Sequence, residues 1–265
     1  MRLYRTLFRP LVFRFDPEWA HDRVIQAGRV LGSTGATRAV LSTLSGFSDP
    51  LLETEVCGIK FPNPLGLAAG FDKSGRAIEA LAAMGFGHVE IGSVSADSSE
   101  GNPKPRLFRL PRDEAIIVNY GLQNDGADAI AARLAPKKLP IPLGINIVKT
   151  NRGITAPPES DAEIIGDYVR SIGALKHRGD YICLNLSCPN TEMGRDFFSD
   201  QHKTARLLTV LSELDIGCPV FLKVSPLGGV RALEELLAAV DGAGFVSGFV
   251  FNLPPGKPDA LRTPR

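Results

Sequence analysis

No apolar run in this sequence approaches the roughly 20 residues that a bilayer-crossing helix needs, which argues against a spanning segment. Cysteine is sparse. Cys57, Cys183, Cys188 and Cys218 form no CxxC pair, and the histidines show no zinc-ligand spacing, so no disulfide framework or metal site is read and free thiols of a reducing compartment fit best. Charge of one sign is not in excess: Lys+Arg 30 against Asp+Glu 29 leaves +1, and no global field points to nucleic acid or a polyanionic substrate. A dinucleotide fingerprint is also missing, because LAAGFDKSG lacks the GxGxxG spacing that would open a helix after the first strand.

What is present is ordinary globular composition, 44% hydrophobic and 22% charged over 265 residues, enough for one α/β domain. The N-terminus is the exception. MRLYRTLFRPLVFRF carries Arg2, Arg5, Arg9 and Arg14 with no acid before Asp16, and Pro10 interrupts any helix there. It suits a basic amphipathic anchor in a membrane interface, an organelle-targeting segment, or an amphipathic helix packed on the domain. Apolar spacing predicts a helix from Asp16 to Leu31, with Asp16 as N-cap and Pro17 at the first helical position, and a second helix from Thr37 to Leu44.

From Thr54 onward short apolar runs alternate with helical patterns, which is βα repetition. A hairpin turning near Gly58 precedes strand candidates Leu65–Ala69, His88–Val94, Leu143–Val148, Tyr181–Ser187, Val220–Val224 and Gly248–Asn252. Helical patterns fall at Ser74–Met84, Asn124–Leu134, Asp161–Leu175, His202–Leu214 and Val230–Ala243. Polar residues close several strands in turn, which favours a (β/α)8 TIM barrel over an open doubly wound sheet with its single switch point. About six βα units are present, so the barrel reads as C-terminally incomplete, with an N-terminal helical extension at 1–46 and the barrel domain at 47–265.

The densest chemistry is YICLNLSCPN, where an apolar strand ends in Asn185, Ser187, Cys188 and Asn190. Carboxamides flanking a thiol can hold an amide-bearing ring while the thiol moves a proton; a packed cysteine beside Asn turn caps is the plainer account. LAAGFDK offers small residues, Ala68, Ala69 and Gly70, as a floor for a flat ring, with Lys73 beside it to pair with a carboxylate, or else a tight turn with a solvated lysine. Lys223 sits inside the apolar strand FLKVS, where a charge is costly unless it is paired or aimed at a site. Asn146 lies on the strand GINIV. The long segment Gly101–Gly126 alternates as a strand would and ends in Asn119, Gln123 and Asn124, suited to reach a substrate or to cap turns.

In order and spacing, NPLGLAAGFDK, MGFGHVEIGSV, GNPKPRLFRL, LGINIVK, LNLSCPNT and FLKVSP resemble dihydroorotate dehydrogenases of the membrane-associated, quinone-using class, over roughly Phe15 to Asn252. The resemblance implies a flavin-dependent barrel that oxidises dihydroorotate to orotate in pyrimidine synthesis. It implies FMN held by the backbone of Ala68, Ala69 and Gly70 and by Ser93, Asn146, Asn185 and Lys223, and substrate contacts from Lys73, Asn190 and Asn252. Cys188 falls at the position of the catalytic base, which takes a proton from one ring carbon while hydride leaves its neighbour. The helical extension would form a quinone entrance on a peripheral membrane surface, at the cytoplasmic face of the cell inner membrane.

Departures from the family pattern keep alternatives open. Cys188 is the base of the soluble class, Val118 and Gln123 stand where the family has substrate-binding Asn, and Asn252 is followed by Leu253 and Pro254 in place of Thr. These changes suit another dihydropyrimidine-like cyclic amide as substrate. A catalytically silent truncated barrel unable to hold FMN is the reading from a different class.

Overall fold

The computed structural model describes residues 4–135, 137–153, 155–186, 200–225, 229–241, 243–252 and 262, and the side chain of residue 232 is outside that description. After one turn of wide helix at Tyr4–Phe8, α1 (Arg9–Val12) accommodates Pro10 in its first turn, where a missing N–H costs nothing. Helix α2 (Pro17–Gly32) starts as expected: the Asp16 side chain accepts from Trp19 N at 2.8 Å, and Pro17 opens the helix. Helix α3 is Gly35–Ser45. Strands β1 (Thr54–Val56) and β2 (Ile59–Phe61) form the antiparallel hairpin around Cys57 and Gly58, both with positive φ.

The main sheet then alternates with helices: β3 (Gly66–Leu67), α4 (Ile78–Ala83), β4 (His88–Val94), α5 (Ala127–Leu134), β7 (Leu143–Ile147), α6 (Asp161–Leu175), β8 (Tyr181–Asn185), α7 (Gln201–Ser212), β9 (Val220–Val224), α8 (Gly229–Val240) and β10 (Val246–Phe251). Between β4 and α5 the long insertion folds into a second antiparallel hairpin, β5 (Leu107–Leu110) and β6 (Ala115–Val118). Six strands in the order β10-β9-β8-β7-β4-β3 pair in parallel and curl into a half-barrel.

Register decides what each face carries. Ile91, Ile145, Ile182 and Val220 lie in one row across β4, β7, β8 and β9, all buried under the outer helices, where Tyr168, Ile172, Leu175, Leu207 and Leu208 complete the core. Alternate residues turn to the concave face, which therefore receives Glu90, Asn146, Tyr181, Asn185 and Lys223. Helix α6 is held by a capping box, Ser160 with Glu163.

Two helices start later than apolar spacing suggests. Before α4, the Asp72 carboxylate accepts from the backbone N of Arg76 (2.9 Å) and Ala77 (2.7 Å), tying 72–77 into turns. Before α5, Asn124 Oδ1 accepts from Gly126 N at 2.9 Å, and Gly126 has φ 85, so helical geometry begins only at Ala127. In both places a side chain takes backbone donors that the helix would otherwise need to satisfy.

Candidate active site

One hydrogen-bonded chain crosses three strands on the concave face. The Glu90 carboxylate accepts from Asn146 Nδ2 at 2.9 Å and from Tyr181 Oη at 3.1 Å. Asn146 Oδ1 in turn takes the Ser93 hydroxyl at 2.5 Å, and Ser93 Oγ accepts from Asn185 Nδ2 at 3.0 Å. Tyr181 reaches Glu90 because β7 has Gly144 opposite it; a Cβ there would stand 2.1 Å from the ring. The Asn185 carbonyl is held from the helical side by Tyr168 Oη at 3.1 Å.

Burial raises the Glu90 carboxyl above its ordinary range, against the opposing pull of Lys223 and of the hydrogen bonds from Asn146, Tyr181 and the Ala69 backbone. Cys183, between Glu90 and Asn146 on the same face, is pushed up by burial first and then by Glu90, so it is an inert packed thiol. These groups border a cavity of about 570 Å3 whose lining includes Ala68, Ala69, Glu90, Tyr181, Lys223 and Asn252. Small residues on one side, apolar rings of Phe221 and Phe249 on another, and few polar groups give it the size and character of a small-molecule or cofactor site. Gly70 is not among the lining residues; its backbone N donates to Gly92 O at 2.8 Å.

A second cavity, about 210 Å3, lies where α2 meets the loop after β3. Lys73 Nζ sits there 3.8 Å from the centroid of the Tyr120 ring, with His21 edge-on to Phe71 at 5.1 Å. Burial lowers the Lys73 ammonium to about 8, partly offset by Asp22 and Glu18. His21 is lowered by burial and then by the Lys73 charge. Burial also pushes the Tyr120 phenol up to about 12, and its hydroxyl is buried without a hydrogen-bond partner among the described residues.

Ala68, Ala69, Lys223 and Asn252 thus meet in one cavity, and Ser93, Asn146 and Asn185 form the hydrogen-bonded chain that enters it through Glu90. Lys73 lines the other cavity, half-buried against an aromatic ring, and is not a solvated turn lysine. Cys188 and Asn190 lie outside the described residues. Glu90, Tyr181, Tyr120 and His21 were not singled out from the sequence. Glu90 carried the same signal as Lys223, a charge inside an apolar strand; the tyrosines and His21 carried none, since only the fold brings them to Glu90 and Lys73.

The residues present fit a flavin. Ala68 and Ala69 give a floor of small residues that suits a flat ring system, and Lys223 supplies a cation for a pyrimidine-like edge, with the Asn146, Ser93 and Asn185 side chains joined to the cavity through Glu90.

A curled parallel sheet, outer helices and polar side chains gathered on the concave face define an α/β-barrel protein of the ligand-binding kind. The chain belongs to the dihydroorotate dehydrogenase family, whose sequence model matches residues 51–245. It is 42% identical over 241 residues to a protein of Gloeobacter violaceus named dihydroorotate dehydrogenase (quinone), covering 89% of this chain and 65% of that one. A Mycobacterium tuberculosis protein of the same name is 39% identical over 244 residues, covering 91% and 66%. A crystal structure of ligand-free DHODH from Eimeria tenella superposes with TM-score 0.76 at 27% identity, covering 94% of this chain and 72% of that one. The chain spans about two thirds of the length of these curated relatives.

Proposed function

We propose that the chain carries out the FMN-dependent oxidation of dihydroorotate to orotate and passes the electrons to a quinone. The observation that carries this reading is the chain Tyr181, Glu90, Asn146, Ser93, Asn185, which joins three polar groups through Glu90 to the cavity lined by Ala68, Ala69 and Lys223. Ser93, Asn146, Asn185, Lys223 and the backbone of Ala68, Ala69 and Gly70 are assigned to hold FMN, which supplies the two-electron acceptor when bound. Lys73 is assigned to the substrate carboxylate, and Asn190 and Asn252 to its amide groups. Cys188 is the base that takes the ring-carbon proton.

Residues 1–46 are assigned as a membrane-facing extension that admits quinone, and 47–265 as the barrel. Trp19, Val24, Val30 and Leu31 on α2 and Val40 and Leu44 on α3 are exposed, an apolar surface suited to a peripheral position at the cytoplasmic face of the inner membrane. No helix among the described residues is long and apolar enough to cross a membrane.

One observation favours a second substrate. Val118 pairs with Leu107 in the hairpin and carries no carboxamide, and the Gln123 carboxamide, which lines the Lys73 cavity, has its Oε1 taken by Arg106 Nη2 at 2.8 Å, so the polar set differs from the family pattern. Another dihydropyrimidine-like cyclic amide is the alternative. Anaerobic titration of the FMN-loaded protein tests both: bleaching of the flavin absorbance by dihydroorotate supports the first reading, and bleaching only by an uncharged dihydropyrimidine supports the second. Cys188→Ala should keep flavin bound and slow its reduction by about 10²- to 10⁴-fold. Near-normal reduction removes Cys188 from the base role.

A further inference from the structure

We propose that a pocket on the outer side of the half-barrel, lined by Arg29, Arg76, Arg133 and Lys137, binds a phosphate-bearing anion. The pocket encloses about 420 Å3, and its lining consists of these four cations with no carboxylate among them. They come from separate elements: Arg29 from α2 of the extension, Arg76 from the turn before α4, Arg133 from the last turn of α5, and Lys137 from just beyond it.

Two carboxylates hold three of these cations. Asp125 accepts from Arg76 Nη2 at 2.9 Å and from Arg133 Nη2 at 2.8 Å. Glu79 accepts from Lys137 Nζ at 2.6 Å and has Arg38 at 4.0 Å. Each carboxylate is thus shared by two cations, Glu79 with Arg38 outside the lining, so the four lining cations still outnumber the two acids. The Arg29 side chain is exposed and has no hydrogen bond or ion pair among the described residues. Asp125 and Glu79 do more than offset charge: they hold the Arg76, Arg133 and Lys137 heads in place, so the positive wall exists before any ligand arrives.

The chemistry of the wall selects among anions. Three guanidinium groups from three elements, of which Arg29 keeps its whole fork open while Arg76 and Arg133 are held by Asp125, together with an ammonium as a point charge, suit an oxyanion that presents three acceptor oxygens and a charge near −2. A lone carboxylate offers two oxygens in one plane and a single charge, and would leave one cation of the wall unmet. Phosphate or a phosphate monoester therefore fits, whether free in solution or as a lipid headgroup. Arg76 also lines the cavity that holds Lys73, so the two cavities share one wall residue.

Isothermal titration with inorganic phosphate, at ionic strength held constant with chloride, tests the site. Wild type should bind saturably at one site, and Arg29→Glu should weaken binding by about tenfold or more while leaving the fold intact, since Arg29 holds nothing else together. Arg133→Gln is the second variant and should weaken it as well. Sedimentation with phosphatidylcholine vesicles, with and without phosphatidylglycerol, separates the two sources. Vesicle binding that needs phosphatidylglycerol, falls in Arg29→Glu and is competed by inorganic phosphate supports a headgroup site. Phosphate binding without vesicle dependence supports a soluble phosphate ester. No saturable phosphate binding, or equal binding by wild type and both variants, overturns the proposal.

Discussion

The Arg106 guanidinium donates from Nη2 to Glu18 Oε1 at 2.7 Å, with its Nε 3.2 Å from both carboxylate oxygens, and both side chains are buried. Glu18 belongs to α2 and Arg106 immediately precedes β5, so this pair fastens the helical extension to the insertion between β4 and α5. Arg106 is then saturated by the carbonyls of Glu100 and Asn102 and by Gln123. Removing one partner of such a pair leaves a buried charge unmet: Glu18→Ala should lower unfolding free energy by about 3 kcal/mol in urea titration. Burial acts to raise the Glu18 carboxyl, but the hydrogen bonds from Arg106 and Lys104 outweigh it and hold it below its ordinary 4.5. Its contribution is therefore present above about pH 4.5 and is lost as pH falls through the lower folded value. Limited proteolysis should find the extension released in that acid range first; release of the core at the same pH would contradict the fastening role.

Glu90 works in the opposite sense. Burial raises its carboxyl above the ordinary 4.5, so the folded state holds the proton longer than the unfolded chain and stability declines as pH rises from 4.5 through the folded value. Glu90→Gln removes that slope. It also replaces charge-assisted acceptors of Asn146 and Tyr181 by neutral ones, for a net loss of about 1–3 kcal/mol. Unfolding curves at several pH values check both statements, and a Gln variant that keeps the wild-type slope would assign the titration elsewhere.

How much of this was legible in the sequence follows from how local each determinant is. Asp16, Pro17 and the apolar spacing of α2 are contained in a few adjacent residues, and the helix begins where they say. His88–Val94 and Val220–Val224 are short apolar-rich runs, and their ends coincide with the expectation even though β4 shifts register between Ile91 and Val94. The starts of α4 and α5 were missed because Asp72 and Asn124 divert backbone donors through side-chain geometry that periodicity does not encode. At the site, Ser93, Asn146 and Asn185 were readable as polar strand ends. Their common anchor Glu90 carried a local signal, a charge inside an apolar strand, but its pairing with Tyr181 and Asn146 did not, because these lie 91 and 56 residues away and register alone brings them together.

Gly92 tests how tightly that register is set. It has φ 110, and a Cβ there would stand 2.5 Å from Asn146 O, a backbone atom that cannot move aside. Gly92→Ala should cost about 2–4 kcal/mol, from backbone strain together with the clash, and should displace Asn146 from Ser93. Melting temperature and urea midpoint read the loss directly. A change below about 0.5 kcal/mol, the range of ordinary surface substitutions, would show that β4 and β7 can slide apart freely.

Lys73 gives a pH signature that separates a working lysine from a packed one. Burial is the main cause that brings its ammonium to about 8, and the Tyr120 ring 3.8 Å away holds the charged head meanwhile. Between pH 8 and the ordinary 10.5 the unfolded chain keeps a proton that the folded protein has released, so stability rises with pH across that window. Substrate affinity should move the other way. If Lys73 meets the carboxylate of dihydroorotate, the apparent Kd for that anion is level below pH 8 and then rises about tenfold per pH unit as the ammonium is lost. Lys73→Met should bind weakly and show no such rise, while Tyr120→Leu, which removes the ring that shelters the ammonium, should shift the inflection. Equilibrium titration of orotate from pH 6 to 10 measures all three proteins, and a wild-type curve without an inflection near 8 would take Lys73 out of the carboxylate contact.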